Sequence, residues 1–174
     1  MKKFILFLVG IFFLITLSFG SYKKLNSNKY QALLLYDFNY NANTFKLDDF
    51  KNLDLNFPNI SITALPIKYL KAKYYLDVDS VETAKKLIYE SFKDNPYIYA
   101  PEILLAQIYL SENELDSALY YSKRAFYGIT NNNRHRDTYF NVLEELNDSV
   151  SLDSAFIKIR KIKELISMAR SQKK

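Results

Sequence analysis

Apolar residues recur at helical spacing along most of the chain after residue 65. Between Leu152 and Ala169 they step by one, three or four residues, which keeps them on one side of a helix. Ser80, Asn113 and Ser151 stand where N-caps are expected, because their side chains can satisfy free backbone N–H groups. The pattern predicts an all-α fold, with helices near residues 67–76, 81–93, 101–111, 114–127, 136–146 and 151–170.

The segment between residues 21 and 64 has a weaker pattern. Residues 30–40 could form a helix, whereas residues 53–57 alternate as a short strand would. Leu47-Asp48-Asp49-Phe50 lies 34 residues before Val81-Glu82-Thr83-Ala84, and this spacing suggests a decayed copy of a later repeat. We interpret residues 21–64 as an irregular or degenerate repeat segment that packs on the first complete repeat.

Residues 1–20 combine a positive start with a long apolar run. Two lysines precede the stretch from Phe4 to Phe19. As a cleavable signal, this stretch ends in Ser18-Phe19-Gly20, which supplies small residues before Ser21. As a retained anchor, it is slightly shorter than the roughly 20 residues that span a bilayer. Both interpretations stay open, and in each of them a positive end kept inside places residues 21–174 outside the cytoplasm.

Three short segments repeat along the chain. Ser80–Ala84, Glu114–Ala118 and Ser151–Ala155 align, with their alanines 34 and then 37 residues apart. A three-residue insertion at Asn131–Asn133 would account for the longer second interval. Small residues at these positions suit the close approach of two antiparallel helices, and a period of 34 residues is typical of helix-pair repeats.

On these residues the chain resembles tetratricopeptide-repeat (TPR) proteins over roughly residues 65–170. Ala72 and Ala106 take the small-residue position of the first helix, each followed three residues later by a tyrosine, and Pro96 matches the terminal proline. The third unit departs from the pattern, with Leu143 and Leu146 at the corresponding places. The resemblance implies an antiparallel helix-pair solenoid of about three repeats within residues 65–174, closed by a long C-terminal capping helix.

In TPR proteins the first helix of each repeat lines a concave binding surface. The resemblance therefore implies a groove that accepts a protein or peptide partner. The groove lacks the cluster of basic and amide side chains with which some members hold a terminal carboxylate. Residue-by-residue transfer predicts that the groove consists of Tyr69, Lys73, Leu76, Ile103, Gln107, Leu110, Phe140 and Glu144.

The tyrosines are numerous, with 15 in 174 residues. Neighbouring side chains on a helix point about 100° apart, so one residue of Tyr74-Tyr75 and one of Tyr120-Tyr121 must face outward. Exposed tyrosines are frequent contact residues in protein interfaces. We therefore expect some of them to contribute to partner binding.

The distribution of charge argues against a nucleic-acid partner. The formal net charge is +5, but basic residues concentrate in the segment 155–174, where Glu164 is the single acid. The preceding body after Lys3 is mildly acidic, whereas a nucleic-acid-binding domain carries a basic face. The C-terminal basic helix is interpreted mainly as a solvated face, with contact to anionic lipid as the alternative.

Few residues could support catalysis or metal binding. The chain contains no cysteine and one histidine, His135, which leaves little for a thiolate site, a histidine-based metal cluster or a catalytic triad. Asp77-Val78-Asp79 lacks the glycine and distal glutamate of a calcium loop and is predicted to be a polar turn. The sequence thus predicts a binding protein without catalytic residues, cofactor or metal.

A second resemblance concerns the setting. The stretch from Leu65-Pro66-Ile67 through Asn95-Pro96-Tyr97 to Asn131–His135 is similar to repeat tails of bacterial O-antigen-ligase-like envelope proteins. It implies the extracytoplasmic cell envelope, either the periplasm after cleavage or the inner membrane as an anchored form. We expect an interaction scaffold there; the alternatives are an accessory subunit of a membrane-bound polysaccharide assembly and, third, a polysaccharide enzyme that uses helical carboxylates.

Overall fold

The computed structural model describes residues 2–40, 42, 44–51, 55 and 59–171. These residues are helical, apart from connecting segments and one isolated antiparallel bridge between Ile60 and Pro66. Residues 53 and 57 of the strand-like alternation lie outside the described residues. The helices are α1 Lys2–Tyr40, a short 3-10 helix Leu47–Lys51, α2 Ile67–Leu76, α3 Val81–Ser91, α4 Ala100–Ser111, α5 Leu115–Gly128, α6 Asn133–Glu145 and α7 Ser149–Ser171.

The six helices predicted after residue 65 are all present, with ends that differ by at most three residues. Ser80 precedes α3 as predicted, although its hydroxyl donates to Thr83 Oγ1 rather than capping the backbone. Ser151 is not an N-cap, because α7 begins earlier and the Asp148 carboxylate accepts the Ser151 N–H at 3.0 Å. A carboxylate is an equally good capping group at this place.

One turn geometry joins α2 to α3, α4 to α5 and α6 to α7. Each turn contains a residue with a left-handed backbone, at φ 55° for Asp79, 60° for Asn113 and 53° for Asn147. The following N–H donates back across the helix end at 2.8 to 2.9 Å, as in a Schellman motif. Aspartate and asparagine tolerate this backbone better than other side chains with a Cβ. Asn113 thus ends α4 and is not the N-cap of α5, where Glu114 stands.

These turns recur at intervals of 34 residues in both steps, which corrects the alignment of the third repeat. The segment Ser151–Ala155 lies three residues deeper in its helix than the matching segments of α3 and α5. No insertion at Asn131–Asn133 is needed. Ala155 is nevertheless fully buried, because a shift of three residues is nearly one helical turn and preserves the face.

The chain divides into two compact units, Met1–Asn95 and Pro96–Lys174. The sequence-based division had placed residues 65–174 in one repeat domain. In the first unit α2 packs against α3, and the C-terminal half of α1 packs against α2. Its buried apolar residues are Leu34, Leu35, Leu55, Ile67, Tyr69, Leu70, Ala72, Tyr74, Ala84 and Ile88.

The second unit packs α4 on α5, α5 on α6 and α6 on α7. Phe126, Tyr139, Leu143 and Ala155 form a buried cluster in it, with Leu119, Phe140, Leu152 and Ile159 at its edge. Ala106 and Ala118 are fully buried where α4 and α5 meet, as the small-residue pattern predicts. A solenoid that continues through both units stays a prediction.

The Tyr99 ring covers Gly128 within the second unit. A Cβ on Gly128 would lie 2.5 Å from Tyr99 Cε2, which is far inside van der Waals contact. Tyr99 has a left-handed backbone at φ 54° just before α4 begins. Glycine at position 128 therefore permits the close approach of the Tyr99 ring to the end of α5.

Candidate membrane segment and partner-binding surfaces

The N-terminal part of α1 is apolar and exposed. Within Lys3–Tyr40 an 18-residue window reaches a mean hydropathy of 2.4, and none of that window is buried. The 16-residue run from Phe4 to Phe19 extends about 24 Å at 1.5 Å per residue, close to the roughly 30 Å of a bilayer hydrocarbon core. Membrane anchors and signal sequences share these properties. An exposed apolar helix of this length is consistent with a signal peptide or a membrane anchor.

The same helix continues without interruption into the first unit. Ser27 is the first buried residue of α1, and the Gln31 side-chain amide donates to Ser27 Oγ at 3.1 Å and to the Leu55 carbonyl at 2.9 Å. Leu34 and Leu35 then enter the core. The apolar run and the packed part of α1 are thus joined by about two exposed helical turns rather than by a linker.

Asp37 anchors the end of α1 to α2. It is 4% exposed, and its carboxylate accepts hydrogen bonds from the Tyr74 hydroxyl at 2.5 Å and from the Thr44 N–H at 2.6 Å. Burial alone would raise the pKa of Asp37, but these hydrogen bonds outweigh it and hold the pKa below its usual value. We call Asp37, Tyr74 and Thr44 the Asp37 clasp. It attaches the C-terminal end of α1 to α2.

The predicted groove positions of the first unit are mainly internal. Tyr69 is 1% exposed and its ring lies 5.6 Å from that of Phe38. The Lys73 ammonium lies 5.2 Å from the Phe38 ring centroid. Lys73 and Leu76 are half-buried. The structure therefore places Tyr69 in the core, where its bulk fills the contact between α1 and α2, and not on a binding surface.

The predicted groove positions of the second unit divide between core and surface. Ile103 is 1% exposed and belongs to the core. Gln107 and Glu144 are exposed, and Leu110 is half-buried. Phe140 lies between Phe126 and Phe156, with ring centroids 6.2 and 4.7 Å away.

The shifted register explains the place of Phe140. By the 34-residue turn interval it occupies the helix-contact position of Ala72 and Ala106, rather than the surface position to which the 37-residue alignment assigned it. Ile103 and Phe140 are thus packing residues, whereas the proposed binding role of Gln107, Leu110 and Glu144 stays a prediction.

An exposed aromatic stripe runs along α5, and residue-by-residue transfer from the TPR pattern did not select it. Tyr120 is 58% and Tyr127 46% exposed, and their spacing of seven residues puts them on one face, opposite the buried Ala118, Ser122 and Ala125. The Lys158 ammonium lies 4.1 Å from the Tyr127 ring centroid. We call Tyr120, Tyr127 and Lys158 the tyrosine face.

The sequence predicts that one tyrosine of each adjacent pair faces outward, and the structure agrees with this for one of the two pairs. Tyr120 faces solvent, while Tyr121 is half-buried and stacks on Tyr109, with ring centroids 5.7 Å apart and planes at 6°. In the other pair Tyr74 is buried and Tyr75 is half-buried. The helix periodicity could have identified the tyrosine face, because Tyr120 and Tyr127 are two turns apart.

Two buried titratable groups of the second unit, His135 and Glu102, lie at contacts between helices. The His135 ring Nδ1 donates to the Ala125 carbonyl at 2.9 Å, and burial lowers the pKa of His135. Glu102 is 1% exposed in the first turn of α4, and its Oε1 lies 3.2 Å from Arg124 Nε without a hydrogen bond of good geometry. Burial raises the pKa of Glu102, and the Arg124 charge opposes this. Both groups hold helices together.

Among the described residues, no group of three or more histidine, aspartate or glutamate side chains is placed to hold a metal ion. Asp77-Val78-Asp79 forms the polar turn after α2. Comparisons of the chain with protein-family models, curated proteins and solved structures found no match.

Proposed function

We propose that this protein is a membrane-held, TPR-like helical scaffold of the cell envelope that binds a protein or peptide partner. The observation that carries the proposal is the continuity of α1. One helix contains the exposed apolar run and the residues that pack into the first unit. A protein built in this way presents its folded body directly at the membrane surface.

The retained anchor is the form favoured by α1. The helix continues through Ser18–Ser21, the place of the predicted cleavage, without a change of backbone conformation. The exported, soluble form after cleavage remains the competing state. In it the helix would begin at Ser21, six residues before its first buried side chain.

The tyrosine face supports the partner-binding part of the proposal. Tyrosines combine a large apolar ring with a hydroxyl, and they are enriched among residues that dominate binding energies. The exposed ring of Tyr120 points away from the buried side of α5, whereas the exposed ring of Tyr127 also contacts Lys158 on α7 and lies 6.3 Å from the Tyr139 ring. Gln107, Leu110 and Glu144 of the predicted groove remain the other candidate contacts.

A second candidate function is that of an accessory subunit in a membrane-bound polysaccharide assembly. The exposed apolar part of α1 favours it, since such a helix can also pack against membrane helices of other subunits. In that case the membrane segment itself would contact the partner. Replacement of residues 4–19 by an unrelated spanning helix would abolish assembly, whereas a scaffold that binds through its body would retain its partner.

Membrane fractionation with mass measurement of the N-terminus tests the anchor. A membrane-bound chain that retains residues 1–20 is the expected result, and a soluble species that begins at Ser21 would exclude retention. Photo-crosslinking from position 120 in cells tests the tyrosine face, with position 116 on the same exposed side as a nearby reference.

The matched control is a pair of variants. Tyr120→Ala with Tyr127→Ala removes both exposed rings and should abolish crosslinked products formed from position 116, whereas Tyr36→Ala removes a ring of similar exposure in the first unit. If no protein is crosslinked from position 120 or 116, or if products survive loss of both rings, the tyrosine face is not the binding surface.

A further inference from the structure

A cavity of about 420 Å³ lies between α1 and the segment that follows residue 59. Its walls are formed by Lys24, Asn28, Gln31 and Ala32 on α1 and by Ile60, Ser61 and Ile62 across from them. The volume is in the range of small-ligand sites. Among the described residues, the lining contains one cation, Lys24, and no carboxylate, with an amide from Asn28 beside the cation and two isoleucines with Ser61 on the far wall. This chemistry suits a phosphate group attached to an apolar body.

The cavity lies at a defined distance from the apolar run. Lys24 follows Phe19 by five residues, which is about 7 Å along the helix axis. The polar layer of a bilayer is about 5 to 7 Å thick on each side of the hydrocarbon core. If the run from Phe4 to Phe19 occupies the hydrocarbon, the Lys24 ammonium is level with lipid phosphates, and the rest of the cavity opens just above them.

The opposite wall is a rigid turn. The Ser61 N–H donates to the Leu65 carbonyl at 2.8 Å, the Ala64 N–H donates to the Ser61 carbonyl at 2.9 Å, and the Leu65 N–H donates to Ser61 Oγ at 3.2 Å. The Asn95 amide donates to the Ala64 carbonyl at 2.9 Å. Ile62 lies within this turn and is 93% exposed. A single exposed isoleucine is common on protein surfaces, but at this place it would lie in the bilayer interface of the membrane-held protein.

The path toward the membrane is open on the same face of α1. Gly20 precedes Lys24 by one turn, and a Cβ placed there would meet nothing within 4 Å. Leu17 continues this face one turn earlier. A molecule bound at Lys24 could therefore extend along the apolar run without meeting a large side chain at the first turn.

The geometry points to this cavity as a binding site for the headgroup of a membrane phospholipid, with Lys24 and Asn28 holding the phosphate and Ile62 entering the interface beside it. The inference rests on the proposed membrane-held state. Lys24 and Asn28 bind the phosphate oxygens by charge-assisted and neutral hydrogen bonds. Ala32, Ile60 and Ile62 contact the glycerol carbons. The headgroup would thereby link the first unit to the membrane at a second point beside α1.

Lipid titration of the full-length protein in mild detergent tests the site, with bound lipids counted by native mass spectrometry. The probe is phosphatidylglycerol, and glycerol 3-phosphate is the soluble reference. Lys24→Gln should weaken lipid binding about tenfold, the loss expected for one charge-assisted hydrogen bond. Lys23→Gln is the matched control, because it removes the same charge from the adjacent residue, whose ammonium lies toward Phe19 rather than the cavity. It should change binding less than twofold.

The chain has no tryptophan, so Ile62→Trp provides a single reporter in liposomes. Lipids brominated near the glycerol should quench this tryptophan strongly, and Val78→Trp should be unaffected, since Val78 follows the far end of α2, close to the Asp37 clasp.

The outcomes separate the inference from the proposed function. A protein that floats with liposomes but shows equal lipid binding for Lys24→Gln and Lys23→Gln retains the anchor and overturns the headgroup site. Equal affinity for glycerol 3-phosphate assigns the cavity to a soluble phosphate compound and also overturns it. A protein that does not float overturns the membrane-held state and the headgroup site together.

Discussion

Removal of the Tyr74 hydroxyl should loosen the attachment of α1 to α2. Tyr74→Phe keeps the ring, which lies edge-on against Phe50 at 4.7 Å, and removes a hydrogen bond of 2.5 Å to Asp37. Asp37 is 4% exposed, so water does not replace the lost donor freely. A hydrogen bond to a charged group contributes about 1.5 to 3 kcal/mol. We expect the local stability of α2 to fall by about 2 kcal/mol.

Hydrogen exchange of the α2 amides measures this loss without assuming that the whole chain unfolds in one step. About 2 kcal/mol corresponds to exchange that is roughly thirtyfold faster. Tyr36→Phe is the control, because Tyr36 is on the same helix as Asp37 and is 55% exposed. Its exchange should stay close to that of the unmodified protein.

The pH dependence gives a second readout of the same clasp. A folded pKa below the unfolded value means that Asp37 stabilises the fold above the unfolded pKa of about 3.9, and that this contribution is lost as the pH falls through the folded pKa. Tyr74→Phe removes one of the bonds that hold the pKa down and so brings the folded pKa of Asp37 closer to the unfolded value; the stability lost on acidification should therefore be smaller in the variant. Unchanged α2 exchange in Tyr74→Phe, or an equal change in Tyr36→Phe, would refute the reasoning.

The remaining predictions concern the second unit. Gly128→Ala should lower the free energy of unfolding by about 1 to 3 kcal/mol through overpacking against Tyr99; thermal melts should show the loss, and Tyr99→Gly in the same chain should restore most of it. His135 has a lowered pKa in the folded state, so stability should be full above about pH 6.5 and fall below it as the unfolded chain takes up the proton. Since it is the only histidine, His135→Gln should reduce this dependence below about pH 6.5 in denaturant titrations, and an unchanged slope there would contradict its origin. Asn113→Gly should be neutral or slightly stabilising, whereas Asn113→Ala should cost about 1 to 2 kcal/mol for a left-handed backbone; equal melting temperatures for the two variants would contradict the turn geometry.

The helices could be predicted from sequence because their periodicity is local. Apolar spacing placed six helices close to their observed ends, and the buried Ala84, Ala118 and Ala155 came from the same pattern. The register of the third repeat was wrong because the alignment matched the similar segments around these alanines. The turn residues Asp79, Asn113 and Asn147 mark the 34-residue period better than the alanines do, since each adopts a left-handed backbone at the same point of its repeat.

The residues of the binding surface were harder to predict from the sequence. Tyr69 and Ile103 were assigned to the groove from the facing of family helices, yet both are buried. Which side of a helix is covered depends on its neighbours, and neither the packing of α1 on α2 nor the position of Phe140 between two other rings follows from spacing within one helix. The Asp37 clasp joins residues 37 positions apart and has no local signal.

Because α1 is uninterrupted, its length determines both the rotation of the first unit about the helix axis and its height along that axis. Each residue inserted into the exposed turns between Gly20 and Ser27 would rotate the body by about 100° around the helix axis and raise it by about 1.5 Å. One added residue would rotate Ile62 and the cavity by about 100° around the helix axis. Eleven added residues, about three full turns, would nearly restore their original direction at about 16 Å greater height. In the proposed membrane-held state, helical pitch rather than linker length would set which side of the first unit faces a neighbouring membrane protein.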